Sequence, residues 1–176
     1  MLPAIPSWGG LHPFAAHFPI ALLMVAPVLV MIGLLSSRHR PAYWVAALLL
    51  MVLGTLSAGV AASTGQDAAH AAEDSQHVWP VLQHHEELSE VSIAIFTGLT
   101  LIFALLVFMP RRLRRKLRTW HIVCAHVIYL LAYAGGCLVL MHAGHEGGRL
   151  VHEFGIHAEP AGSAERRAES QRVPGD

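Results

Sequence analysis

Thirteen histidines stand against a single lysine in this chain of 176 residues. Neutral imidazole offers a lone pair that suits haem iron, copper and zinc. His12 and His17 open the stretch "HPFAAHFPIALL", residues 12–23, which leads into an uncharged run through Leu35. His84 and His85 precede a second apolar run, and His142 and His145 close a third. An ionisable side chain at membrane depth is costly, so a histidine there points to function. His17 is the sharpest case, with apolar neighbours on both sides. Two residues on, Pro19 has no N–H to give to the carbonyl of Ala15.

Two chemistries fit. A b-type haem in a helical bundle needs two imidazoles from different helices, facing each other at one depth. His17 and His85 are the expected axial pair, with His84 competing with His85 for the inward direction. His142, together with His70, would serve a second haem, and His12 would orient the site from nearer water. Arg149 is placed to meet haem propionates. The chain has no Cys-x-x-Cys-His, which excludes covalent haem attachment. The other chemistry is a discrete copper, zinc or iron ion. His70, Glu73, Asp74 and His77 follow the i, i+3, i+4, i+7 spacing of one helix face. His84, His85, Glu86 and Glu87 follow, then His142, His145 and Glu146, all ligand types for such ions. His126 shares a face with Tyr129 and Tyr133 and reads as a hydrogen-bonded core residue, with a quinone contact as the alternative. No nucleophile elbow, phosphate loop or dinucleotide fingerprint is present, so nothing supports a hydrolase or an enzyme acting alone.

The elements that would hold these residues follow from hydropathy. Only 14% of the chain is charged, against roughly 25% in a soluble domain. Four apolar stretches run Phe14–Leu35, Ala42–Ala62, Val91–Met109 and Ile122–Met141, each near the ~20 residues a membrane span requires. The reading is an all-α integral membrane four-helix bundle, one domain over 1–157, with helices at about 13–36, 42–64, 86–109 and 120–143. A polar, aperiodic tail, 158–176, is expected to be disordered. The first stretch lacks the layout of a cleaved signal and reads as a retained helix. A short helix is expected near Ala68–Gln76, and no internal repeat is evident. Gly54, Ala58, Gly59, Ala62, Gly135 and Gly136 suggest close helix contacts. Cys124 and Cys137 lie about 20 Å apart along one helix, too far to bridge, and read as buried small residues.

Eight of the twelve Lys and Arg fall in the first and third connections, and all twelve acids fall elsewhere. The positive-inside rule therefore puts those connections in the cytoplasm and both termini on the periplasmic side. Ten of the thirteen histidines then lie at the outer face, and every helix has one near its outer end. Zero net charge leaves no electrostatic footprint for nucleic acid.

"HPFAAHFPIALL" (12–23), "STG" (63–65), "HEELSE" (85–90) and "GGRLVHEFGIH" (147–157) together resemble a bacterial membrane family catalogued as domain of unknown function 2231. The resemblance covers residues 11–157 and rests by position on His12, His17, His85, Gly147 and Gly148. It implies a four-helix inner-membrane protein. Some members are fused to Rieske-type iron–sulfur domains, which implies electron transfer. The expected function is a b-type cytochrome-like subunit passing electrons between quinol or membrane partners and a periplasmic redox protein. The rivals are a metal-binding membrane protein and a structural subunit of a larger redox complex.

Overall fold

The computed structural model describes residues 7–70, 77–109 and 118–156, the side chains of His70 and Thr119 aside. A short 3-10 turn, Gly9–Leu11, leads into four helices: α1 (His12–Leu35), α2 (Arg40–His70), α3 (Trp79–Phe108) and α4 (Thr119–His152). Among the described residues there is no strand. All four helices are long and apolar enough to cross a membrane, so this is a multi-pass membrane bundle. Its element type and number match the sequence reading. Its outer boundaries differ: α2, α3 and α4 run six to nine residues past the expected ends. Apolar length marks the hydrocarbon edge, whereas a helix continues wherever its backbone bonds persist and a neighbour packs. At 31, 30 and 34 residues these helices are about 45–50 Å long, against ~30 Å of hydrocarbon. Much of the expected outer loop is therefore helix. Glu73, Asp74, His157 and the tail lie outside the described residues.

Helix α1 begins with Pro13 in its first turn, where the missing N–H costs nothing. Pro19 and Pro27 sit inside it. Pro27 cannot bond to the carbonyl of Leu23, one turn back. The Tyr133 hydroxyl of α4 donates to that carbonyl instead, at 2.9 Å. At the other end, Arg40 donates from Nε to the Gly33 carbonyl at 3.1 Å and from Nη2 to Leu34 at 3.3 Å, capping the last turn of α1. A Cβ on Gly33 would meet the Trp44 ring at 2.5 Å, so glycine there permits the tight α1–α2 contact.

The two hairpins, α1–α2 and α3–α4, repeat each other, which corrects the sequence reading. Buried Pro19, Leu23, Ala26 and Val30 of α1 have the same spacing as buried Ser92, Phe96, Leu99 and Phe103 of α3. In α2 and α4, buried Trp44, Met51, Gly54, Ala61 and Thr64 match buried His126, Tyr133, Gly136, Ala143 and Glu146. The contacts match as well. A Cβ on Gly54 would meet Leu23 at 2.7 Å, and one on Gly136 would meet Ile95 at 2.9 Å. Of the other expected contact glycines, Gly59 and Gly135 have no such neighbour. Both hairpins run in the same sense, a parallel repeat of the kind membrane folds often use. Cys124 is exposed and Cys137 half-buried, so Cys124 is not the core residue expected.

Candidate functional site

The repeat places one histidine at the head of each hairpin. His12 and His85 each stand seven residues, two helical turns, before the buried Pro19 and Ser92. That spacing turns both rings into the bundle at the end that holds the chain's described termini. His12 Nδ1 donates to the carbonyl of Ala61 on α2 at 2.9 Å. His85 Nδ1 donates to the carbonyl of Ala143 on α4 at 2.8 Å. A carbonyl only accepts, so in the neutral form of each ring the proton sits on Nδ1 and Nε2 carries the lone pair. Among the described residues no hydrogen bond engages either Nε2. The rings face each other edge-on, with centroids 6.3 Å apart and planes at 79°.

Glycine makes room for both. A Cβ on Gly65 would stand 3.0 Å from Cε1 of His12, and one on Gly147 would stand 3.0 Å from Cε1 of His85. Each imidazole thus lies against a helix with no side chain beneath it, one turn beyond its carbonyl acceptor. The 3-10 turn is fixed over the same end, because the Gly9 N–H donates to Asp67 Oδ2 at 2.8 Å. A cavity of about 590 Å³ lies here, lined by His12 and His85. Leu23 and Phe96 supply apolar wall, and Asp67, Glu86 and Glu90 supply acid. Its volume falls within the roughly 300–1,000 Å³ of small-molecule and cofactor sites.

The other expected residues are placed as follows. His17 does not face His85: it is exposed, and its Nδ1 donates to the Pro13 carbonyl of its own helix. His12 takes the inward place instead. Five residues along a helix rotate a side chain by about 140° from the starting direction, so His12 and His17 cannot both point inward. His84 and His142 are exposed and meet each other edge-on, centroids 5.7 Å apart. They share that place with buried Glu146. Arg149 is turned along α4 to Glu146 at 2.9 Å and Glu153 at 3.0 Å and does not line the cavity. His77 and His145 are exposed. The side chain of His70, like Glu73 and Asp74, is outside the described residues, so the expected 70–77 face has no described geometry. His126 is buried, stacked on Trp44 with centroids 4.4 Å apart, and donates from Nδ1 to the Ile122 carbonyl at 2.8 Å. That is the core role expected for it.

Ala61, Gly65 and Ala143 were not legible as site residues, since backbone acceptors have no side-chain signature. The available signal was the glycine of "STG", one turn beyond a small residue, matched by Gly147 after Ala143.

The profile of the family described as "Predicted membrane protein (DUF2231)" matches residues 9–160. No curated protein and no solved structure matches the chain.

Proposed function

Since the chain belongs to the DUF2231 family of predicted membrane proteins, we propose from its geometry that it is an electron-transfer subunit holding haem b between His12 and His85. The observation that carries this reading is the facing pair of imidazoles, each with Nδ1 committed to a carbonyl and Nε2 left as lone pair. Metal-ligating histidines ordinarily give their second nitrogen to a carbonyl or carboxylate, which fixes ring and tautomer. Two imidazoles on opposite sides of one metal, each at about 2 Å, place their centroids roughly 6 Å apart. The 6.3 Å separation fits. Bound haem supplies one-electron redox chemistry. His12 and His85 would hold the haem iron through Nε2, and the Leu23–Phe96 wall would lower the local dielectric around it. From the basic connections we place this end of the bundle on the periplasmic side of a bacterial inner membrane. Electrons would then pass to or from a periplasmic or membrane redox partner.

A second reading keeps the ligands and changes the ligand sphere. Asp67, Glu86 and Glu90 line the cavity and no lysine or arginine among the described residues does, and an acidic lining favours a bare copper, zinc or iron ion over an anionic porphyrin.

The test is an absorption spectrum of the detergent-purified protein, oxidised and then dithionite-reduced, with metal analysis on the same sample. A Soret band and a sharp reduced α-band are expected. They should be absent in His12→Ala and His85→Ala and retained in His17→Ala. A featureless spectrum with stoichiometric metal, lost in the same two variants, moves the conclusion to the second reading. Neither haem nor metal after haem-replete expression overturns both.

A further inference from the structure

The third helix carries another histidine beside the cavity pair, and it points elsewhere. His84 precedes His85 by one residue, about 100° round the helix. It approaches His142 and Glu146 of α4, and the ligand atoms of the three lie within 4.8 Å of one another. None of the three lines the cavity.

Glu146 is the notable member. It is the one buried carboxylate among the described residues, at 6% exposure. Its Oε2 accepts from Arg149 Nη1 at 2.9 Å, which fixes the carboxylate plane. Its Oε1 is turned toward His142 Nε2, at 3.9 Å. A carboxylate held by an arginine in this way has the outer hydrogen-bond support that metal-ligating carboxylates usually have.

The repeat supplies an internal control. The positions of the first hairpin that match His84, His142 and Glu146 are Leu11, Val60 and Thr64. Thr64 turns its hydroxyl back to its own helix, donating to the Ala61 carbonyl at 2.9 Å. The fold is thus built at these positions from two aliphatic residues and a hydroxyl. Packing does not require three ligand-bearing side chains at one spot.

We propose that His84, His142 and Glu146 form a discrete site for a divalent first-row cation, with zinc the best fit. Two imidazoles and one carboxylate are a known zinc donor set, leaving a fourth position for water. Donor atoms around a four-coordinate zinc lie roughly 3.3–3.5 Å apart. The present separations close to that value through rotamers of His84 and His142, both exposed. The site stands independently of the reading given to His12 and His85, since it shares no residue with that pair.

The test is zinc titration of the full-length protein in detergent against a chromophoric chelator, with cobalt absorption as a geometric readout. The tightest equivalent should bind at this site and give the strong visible bands of four-coordinate cobalt. His84→Leu and His142→Val install the residues the first hairpin already carries, so the fold should accept them. Each should weaken the tightest equivalent at least tenfold, as should Glu146→Gln, while His145→Ala leaves it unchanged. The haem or metal dependent on His12 and His85 should be unaffected. If the tightest equivalent survives the His84→Leu/His142→Val double variant, or none is taken up, the proposal is overturned.

Discussion

A methyl group on Gly147 would stand 3.0 Å from His85 Cε1, whose ring is tethered by Nδ1 to the Ala143 carbonyl. The ring would have to give by a few tenths of an ångström, at the expense of that hydrogen bond. Gly148, the next residue, has nothing within 4 Å of the place its Cβ would take. The two glycines should therefore respond oppositely to alanine. Gly147→Ala is expected to lower stability by about 1–3 kcal/mol and to reduce the occupancy of the His12–His85 site. Gly148→Ala gains helix propensity and should be neutral or stabilising by up to about 1 kcal/mol. Thermal unfolding in detergent, followed with the cofactor spectrum, distinguishes them; equal effects would mean that the glycine does not shape the site. The same scale explains why His17 drew attention and His12 did not. His17 is surrounded by apolar residues, but in a membrane helix the lipid face and the core face are equally apolar. Hydropathy marks depth there, not direction. Direction was legible only from the seven-residue spacing of His12 to Pro19 and of His85 to Ser92, once those were known to be buried.

At the scale of helices, existence and number were legible because long apolar runs leave few alternatives. The outer ends were not, since polar residues such as those of "TGQDAAH" (64–70) continue a helix as readily as they form a loop. The contacts that join helices were hidden as well, because they use backbone groups. The Leu23 carbonyl is the clearest instance: Pro27 denies it an intrahelical partner, and Tyr133 supplies one from α4. Tyr133→Phe should therefore cost about 1–2 kcal/mol by leaving that buried carbonyl unsatisfied. With Pro27→Ala, the helix regains an N–H one turn on, and the hydroxyl loses its special value. A double-mutant cycle on unfolding in mixed micelles should give a Tyr133→Phe cost that shrinks by at least half in the Pro27→Ala background. An unchanged cost would mean that Tyr133 acts only through packing, against Phe96 with centroids 5.2 Å apart.

For the whole molecule, the repeat and the charge pattern bear on one question, which way the bundle faces. Because the hairpins run in the same sense, their two internal connections lie at one end, and the His12–His85 cavity lies at the other. The first connection carries Arg38 and Arg40, and the third carries Arg111, Arg112, Arg114, Arg115, Lys116 and Arg118. The third connection holds six of these eight basic residues, so it supplies most of the positive charge that biases insertion. Orientation should accordingly depend on 111–118 more than on 38–40. A C-terminal alkaline phosphatase fusion is expected to be active and a C-terminal green fluorescent protein fusion dark. Replacing the six basic residues of 111–118 with glutamine or serine should yield a mixed population in which both reporters register, whereas Arg38→Gln alone should change neither. The opposite pattern in the unaltered chain, a dark phosphatase and a bright fluorescent fusion, would put the cavity at the cytoplasmic face. The histidine pair would keep its geometry, but its exchange partner would then have to be cytoplasmic, and the periplasmic electron-transfer reading would fail while metal or haem binding stood.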